Sequence, residues 1–67
     1  MMRITVNGDT RELTEGATLA DLLAQMELTG KRVAVEKNAE IVPRSRHAQE
    51  PLADGDTLEI IQAIGGG

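Results

Sequence analysis

The chain has 67 residues, no cysteine, no aromatic residue and a formal net charge of −4. Its length sets one small domain with a thin core, built from Leu, Ile, Val, Met and Ala alone. Lack of cysteine excludes disulfides, thiolate metal sites and a cysteine nucleophile, and the acidic balance without aromatic rings argues against a nucleic-acid binder.

The start of the chain, from Met1 to Asn7, has no long apolar stretch and no small-residue cleavage site, so no signal peptide is visible. No apolar run approaches the ~20 residues that span a bilayer. A cytoplasmic protein is the expectation. Ile4 and Val6 alternate with Arg3 and Thr5, the period of a half-buried strand. Asn7-Gly8 is a strong hairpin signal, since both central positions of that turn need positive φ. The chain then returns over residues 10–13 as a second strand, with Leu13 inward.

Thr18 is an N-cap candidate and Asp21 stands three residues on, as in a capping box. Leu19, Leu22, Leu23 and Met26 form one apolar stripe at helical spacing. With Gly30 just beyond, the helix is expected to stop near Leu28 or Thr29. Val33 and Val35 alternate with Ala34 and Glu36 in a third strand, Asn38-Ala39 turns the chain, and Glu40-Ile41-Val42 makes a short fourth. Pro43 cannot donate to a ladder, so it ends that strand or marks an edge. Residues 44–51 read as polar and irregular, with room for one helical turn, and Leu52 is the apolar anchor there. Asp54-Gly55-Asp56 is a turn. Residues 57–64 form the last and longest strand.

Strand, strand, helix, strand, short strand, strand describes an α+β fold. The expected architecture is a β-grasp of the ubiquitin type, with a mixed sheet of four to five strands and one helix on one face. The domain occupies residues 1–64, and residues 65–67 form a flexible glycine tail.

No catalytic constellation can be assembled. His47 is the sole histidine, has no cysteine partner, and reads as a solvated loop residue. Asp54 and Asp56 lack the further ligands of a calcium loop and read as turn residues, so no metal site is expected. No glycine-rich phosphate loop joins a strand to a helix, so any nucleotide must be held by a partner.

Gly65-Gly66-Gly67 follow the apolar run Leu58-Glu59-Ile60-Ile61-Gln62-Ala63-Ile64. An ending of this kind fits a frayed terminus. It also fits a working tail, able to enter a slot too narrow for any Cβ and to present an unhindered carboxylate. The four residues 64–67 would span about 13 Å when extended. Parity on the final strand puts Leu58 and Ile60 on one face and Ile61 and Ala63 on the other. Exposed Ile61 and Ala63 are either ordinary isolated apolar residues or a docking patch beside the tail.

Taken together, these residues resemble the sulfur-carrier proteins of thiamine biosynthesis, a ubiquitin-like family, over nearly the whole chain. The resemblance runs through Val6-Asn7-Gly8, Thr18-Leu19-Ala20-Asp21-Leu22-Leu23 and Val33-Ala34-Val35-Glu36-Lys37-Asn38. It continues in Glu40-Ile41-Val42-Pro43-Arg44-Ser45, Leu52-Ala53-Asp54-Gly55-Asp56 and the stretch from Ile60 to Gly67. Ile-Val-Pro-Arg-Ser, the aspartate turn and the terminal glycines are its more specific parts. Ala39, where relatives often carry glycine or a second polar residue, and Gln49-Glu50-Pro51 depart from the pattern.

What the resemblance implies is a carrier with no turnover of its own. Gly67 would be the residue adenylated and converted to a thiocarboxylate, with Gly65, Gly66 and Gly67 threaded into a partner and Ile61, Ala63 and Ile64 docking against it. The implied partners are an adenylyltransferase similar to ubiquitin-activating enzymes, which uses ATP and magnesium, a cysteine desulfurase or other persulfide donor, and thiazole synthase. The carrier itself binds no cofactor. Rival readings are a related carrier for molybdopterin synthesis or tRNA thiolation, and a β-grasp module that binds non-covalently by adding a strand to a partner's sheet. The molybdopterin carriers usually have an aromatic, proline-rich stretch where this chain has Ile60-Ile61-Gln62-Ala63-Ile64.

Overall fold

The structure is a computed structural model and describes residues 1–63. In chain order its elements are β1 (Met2–Val6), β2 (Asp9–Leu13), α1 (Leu19–Gln25), β3 (Val33–Lys37), β4 (Glu40–Val42), a 3-10 turn (Arg44–Arg46) and β5 (Thr57–Gln62). The strands form one five-stranded mixed sheet in the order β2-β1-β5-β3-β4, and the helix lies on one face. This is the expected β-grasp. β5 sits at the centre, parallel to β1 and antiparallel to β3.

Two hairpin turns share one design. Asn7 (φ 51°) and Gly8 (φ 86°) join β1 to β2, and Asn38 (φ 51°) and Ala39 (φ 70°) join β3 to β4. Both central residues of each turn have positive φ, which gives the backbone twist that matches paired strands. Ala39 keeps this turn type although alanine pays a steric cost there.

Thr18 caps α1 through a capping box: its Oγ1 accepts from the Asp21 N–H, and the Asp21 carboxylate accepts from the Thr18 N–H at 2.8 Å. Such a cap stabilises by about 1 kcal/mol. The helix ends earlier than the expected Leu28 or Thr29, with Met26 at its C-cap. Glu27 turns left-handed at φ 60°. Its N–H donates to the Ala24 carbonyl (3.0 Å), and the Leu28 N–H donates to the Leu23 carbonyl (2.7 Å). That pair of bonds is a Schellman ending, with Glu27 in the place glycine usually takes.

Leu19, Leu22 and Leu23 of α1 pack on Met2, Ile4, Val6, Val33, Val35, Val42, Leu58 and Ile60 from the sheet, and Leu13, Ala17 and Leu52 close the ends. The loop 44–52 carries more structure than expected. The Leu19 N–H donates to the Glu50 carbonyl and the Leu52 N–H to the Ala17 carbonyl, so the loop is stitched to the start of the helix. Glu50, only 7% exposed, anchors it. The Glu50 carboxylate lies 2.8 Å from Lys37 Nζ and 2.8 Å from an Arg46 guanidinium nitrogen. The hydrogen bond from Lys37, with Arg46 in support, holds the Glu50 carboxyl below its ordinary value against the opposing effect of burial.

Among the described residues no helix is long and apolar enough to cross a membrane.

Candidate functional site: the exit of the central strand

The end of β5 is where the sheet hands the chain on toward its glycines. Leu58 (1% exposed) and Ile60 (6%) face the helix, while Ile61 is 68% exposed on the opposite face. This is the parity expected from the sequence. Ala63 is exposed on the same outer side, just past the last strand residue, and its N–H donates to the Arg32 carbonyl at 2.9 Å. The expected strand over 57–64 is observed as β5 over Thr57–Gln62. Ile64, Gly65, Gly66 and Gly67, the remaining expected docking and tail residues, lie outside the described residues.

On its β1 side the strand is held by an asparagine. Past Val6 the β1 backbone turns away, and the Asn7 side chain continues the ladder in its place. Its Nδ2 donates to the Ile60 carbonyl (3.0 Å), and the Ile60 N–H donates to its Oδ1 (2.8 Å). The sequence marked Asn7 only as a turn residue, and this reach across 53 positions leaves no local signal. On the β3 side the pairing runs through Glu36↔Glu59, Ala34↔Ile61 and Val33↔Gln62. The outer face beside the exit therefore presents Ala34 and Ile61 together. Ile41 of β4, 76% exposed, stands next to Glu36 on that same face.

The other candidates have structural roles. His47 is half-buried rather than solvated, because its Nε2 lies 3.0 Å from the Val42 carbonyl and ties the 3-10 turn back to β4. The Asp54 carboxylate accepts from the Arg3 N–H (2.8 Å). Asp56, 9% exposed, accepts from the Ala53 N–H (2.8 Å) and from Asn38 Nδ2 (3.0 Å). These aspartates build the turn into β5, as the sequence implied. No group of three or more metal-ligating side chains occurs among the described residues.

Fold and exit together define a ubiquitin-like β-grasp domain whose central strand runs out toward a glycine terminus. A sequence model described as the ThiS family matches residues 4–67. The chain belongs to the ThiS family. It is 38% identical over 65 residues to the sulfur carrier protein ThiS of Bacillus subtilis, covering 96% of this chain and 98% of that one. It is 44% identical over 66 residues to the thiazole synthase of Paramagnetospirillum magneticum. That match takes in 98% of this chain but spans only 20% of the synthase. The crystal structure of the thiamine biosynthesis protein ThiS from Geobacter metallireducens superimposes with a TM-score of 0.80 at 30% identity, covering 98% of this chain and all of that one.

Proposed function

We propose that this chain is a sulfur carrier of thiamine biosynthesis and that the carboxylate of Gly67 is its reactive group. A carboxylate is a poor acyl donor, because its oxygen is a poor leaving group. Attack of that carboxylate on the α-phosphorus of ATP, in a partner adenylyltransferase with magnesium, releases pyrophosphate and gives an acyl-adenylate. The outer sulfur of a persulfide donor then attacks the acyl carbon and expels AMP, leaving an acyl disulfide. A thiol attacks the donor's sulfur, forms a disulfide with it and releases the carrier's sulfur. The product is a thiocarboxylate, a softer nucleophile than the carboxylate it replaces, and thiazole synthase would consume it.

The observation that carries this reading is the match to ThiS over residues 4–67, which runs through Gly65-Gly66-Gly67. Two features of the chain support it. Glycine crowds neither face of the acyl carbon, and the cysteine-free composition suits a carrier whose cargo rides on the terminus. Similarity to one fifth of a thiazole synthase supports that enzyme as the acceptor. The carrier would be a co-substrate, with catalysis supplied by its partners.

The intact mass of the protein isolated from cells tests the proposal. A gain equal to the exchange of one oxygen for sulfur, lost on mild oxidation or hydrolysis, is the expected result. Sulfur incorporation into a chain ending at Ile64 at the full-length rate would overturn it.

A further inference from the structure

Asparagine followed by glycine is a reactive pair as well as a turn signal. The peptide nitrogen of the following residue can attack the side-chain amide carbon, and glycine, having no Cβ, hinders that approach least. Asn7-Gly8 is the one such pair in the chain, since the other asparagine, Asn38, precedes Ala39. Both residues of the pair are exposed, and a Cβ placed on Gly8 would meet nothing within 4 Å. Water and base therefore reach the turn freely, and neither burial nor crowding protects it.

Protection comes from backbone geometry and from the central strand. At φ 51° Asn7 sits in the left-handed region, where ψ is held at ~30–60°. That ψ turns the Gly8 nitrogen away from the Asn7 Cβ, whereas ring closure needs the two on the same side. The side chain is tied as well. Its Nδ2 donates to the Ile60 carbonyl at 3.0 Å, and its Oδ1 accepts from the Ile60 N–H at 2.8 Å. Attack thus requires two movements: a turn of the Asn7–Gly8 peptide, and release of the amide from both of its bonds to β5.

We propose that Asn7 is a latent deamidation site gated by the central strand, inert while its amide holds Ile60 and reactive once β5 lets go. The inference goes beyond the carrier reading and does not depend on it. The step balances with water alone. The Gly8 nitrogen gives its proton to hydroxide and bonds to the Asn7 Cγ. The Cγ–Nδ2 bond breaks, and ammonia leaves with a proton taken from water. Water then opens the succinimide at either carbonyl, giving aspartate or isoaspartate at that position. Neither product restores the clamp. Aspartate can still accept from the Ile60 N–H, but its second oxygen faces the Ile60 carbonyl where the donor stood. Isoaspartate adds a backbone methylene to a turn built for two residues. The modification is one-way: a chain that has released β5 long enough to react holds it less firmly afterwards.

The test incubates the full-length protein at mildly alkaline pH, with and without enough urea to unfold it, and follows the intact mass. A gain equal to the exchange of NH2 for OH marks deamidation, and peptide mapping places it. Asp54-Gly55 can close the same ring, but hydrolysis there restores the original mass, so the gain reports asparagine alone. In urea the gain should map to Asn7 well before Asn38. In buffer it should be slower by at least about thirtyfold, the factor that two hydrogen bonds of ordinary strength supply. Asn7→Asp should lack the fast gain in urea and, when folded, should melt below the parent protein. Equal rates in buffer and urea, or first modification at Asn38, would overturn the inference. So would an Asn7→Asp variant as stable as the parent protein.

Discussion

Asn7 and Asn38 hold the same strand from its two sides. Each occupies the first left-handed position of a hairpin turn, and each turns its side-chain amide onto the backbone of β5. Asn7 pairs with both peptide groups of Ile60. Asn38 Oδ1 accepts from the Thr57 N–H (3.0 Å), while the Asn38 N–H donates to the Thr57 carbonyl (2.8 Å). Two residues from the hairpins on either side thus add side-chain bonds to the ladders that position β5.

Asn7→Ala removes two part-buried hydrogen bonds to Ile60 and a residue suited to positive φ. At about 1 kcal/mol for each bond, a loss of about 2 kcal/mol is expected in urea unfolding. Hydrogen exchange at the Ile60 amide should accelerate more than the global loss accounts for.

Ala39→Gly should stabilise. The alanine sits at φ 70°, a region that disfavours any Cβ. Relief of about 1 kcal/mol is expected, net of the extra entropy glycine loses on folding. A lower denaturation midpoint for this variant would show that the turn carries no strain.

Acid sensitivity should trace in part to Glu50. Its folded pKa is depressed by Lys37 and Arg46, so the stability it contributes is present above the unfolded value of about 4.3 and is lost as pH falls through the folded one. Glu50→Gln should be less stable at neutral pH, and the gap to the parent protein should close as the pH is lowered below 4. Equal spacing of the two stability curves down to pH 2 would contradict this.

Gly67→Ala should cut kcat/KM for adenylation by about tenfold or more, since one added methyl group in a tight slot carries discrimination of this size. Folding should be untouched. Parent-like kinetics would refute the steric argument for a glycine end.

Ile61→Asp should leave circular dichroism unchanged, because the side chain is mostly in water, and weaken partner binding about tenfold. Unfolding of the variant would mean that the outer and inner faces of β5 are reversed.

The fold was legible wherever the controlling interactions are local. Asn7-Gly8, the Thr18–Asp21 box and the alternation of β1, β3 and β5 each act within a few residues, and all form as read. Glu27 was missed because a left-handed helix end is signalled by glycine or asparagine, and a glutamate there is held only by the bonds around it. The buried role of Glu50 depends on Lys37, brought near only by the folded sheet. His47 owes its half-burial to the carbonyl of Val42. At the site, the outward face of Ile61 followed from parity. Its neighbours Ala34 and Ile41 did not, because strand order and register are set by the tertiary fold.

Placement of the outgoing strand between β1 and β3 has a mechanical consequence. A pull on the terminus runs along the axis of β5 and loads both flanking ladders in shear, so many bonds must yield together where an edge strand would unzip one bond at a time. If the tail works in a partner's slot as proposed, its extraction would not tear the carrier open, and under tension the unfolding rate rather than the equilibrium stability would set the carrier's working lifetime.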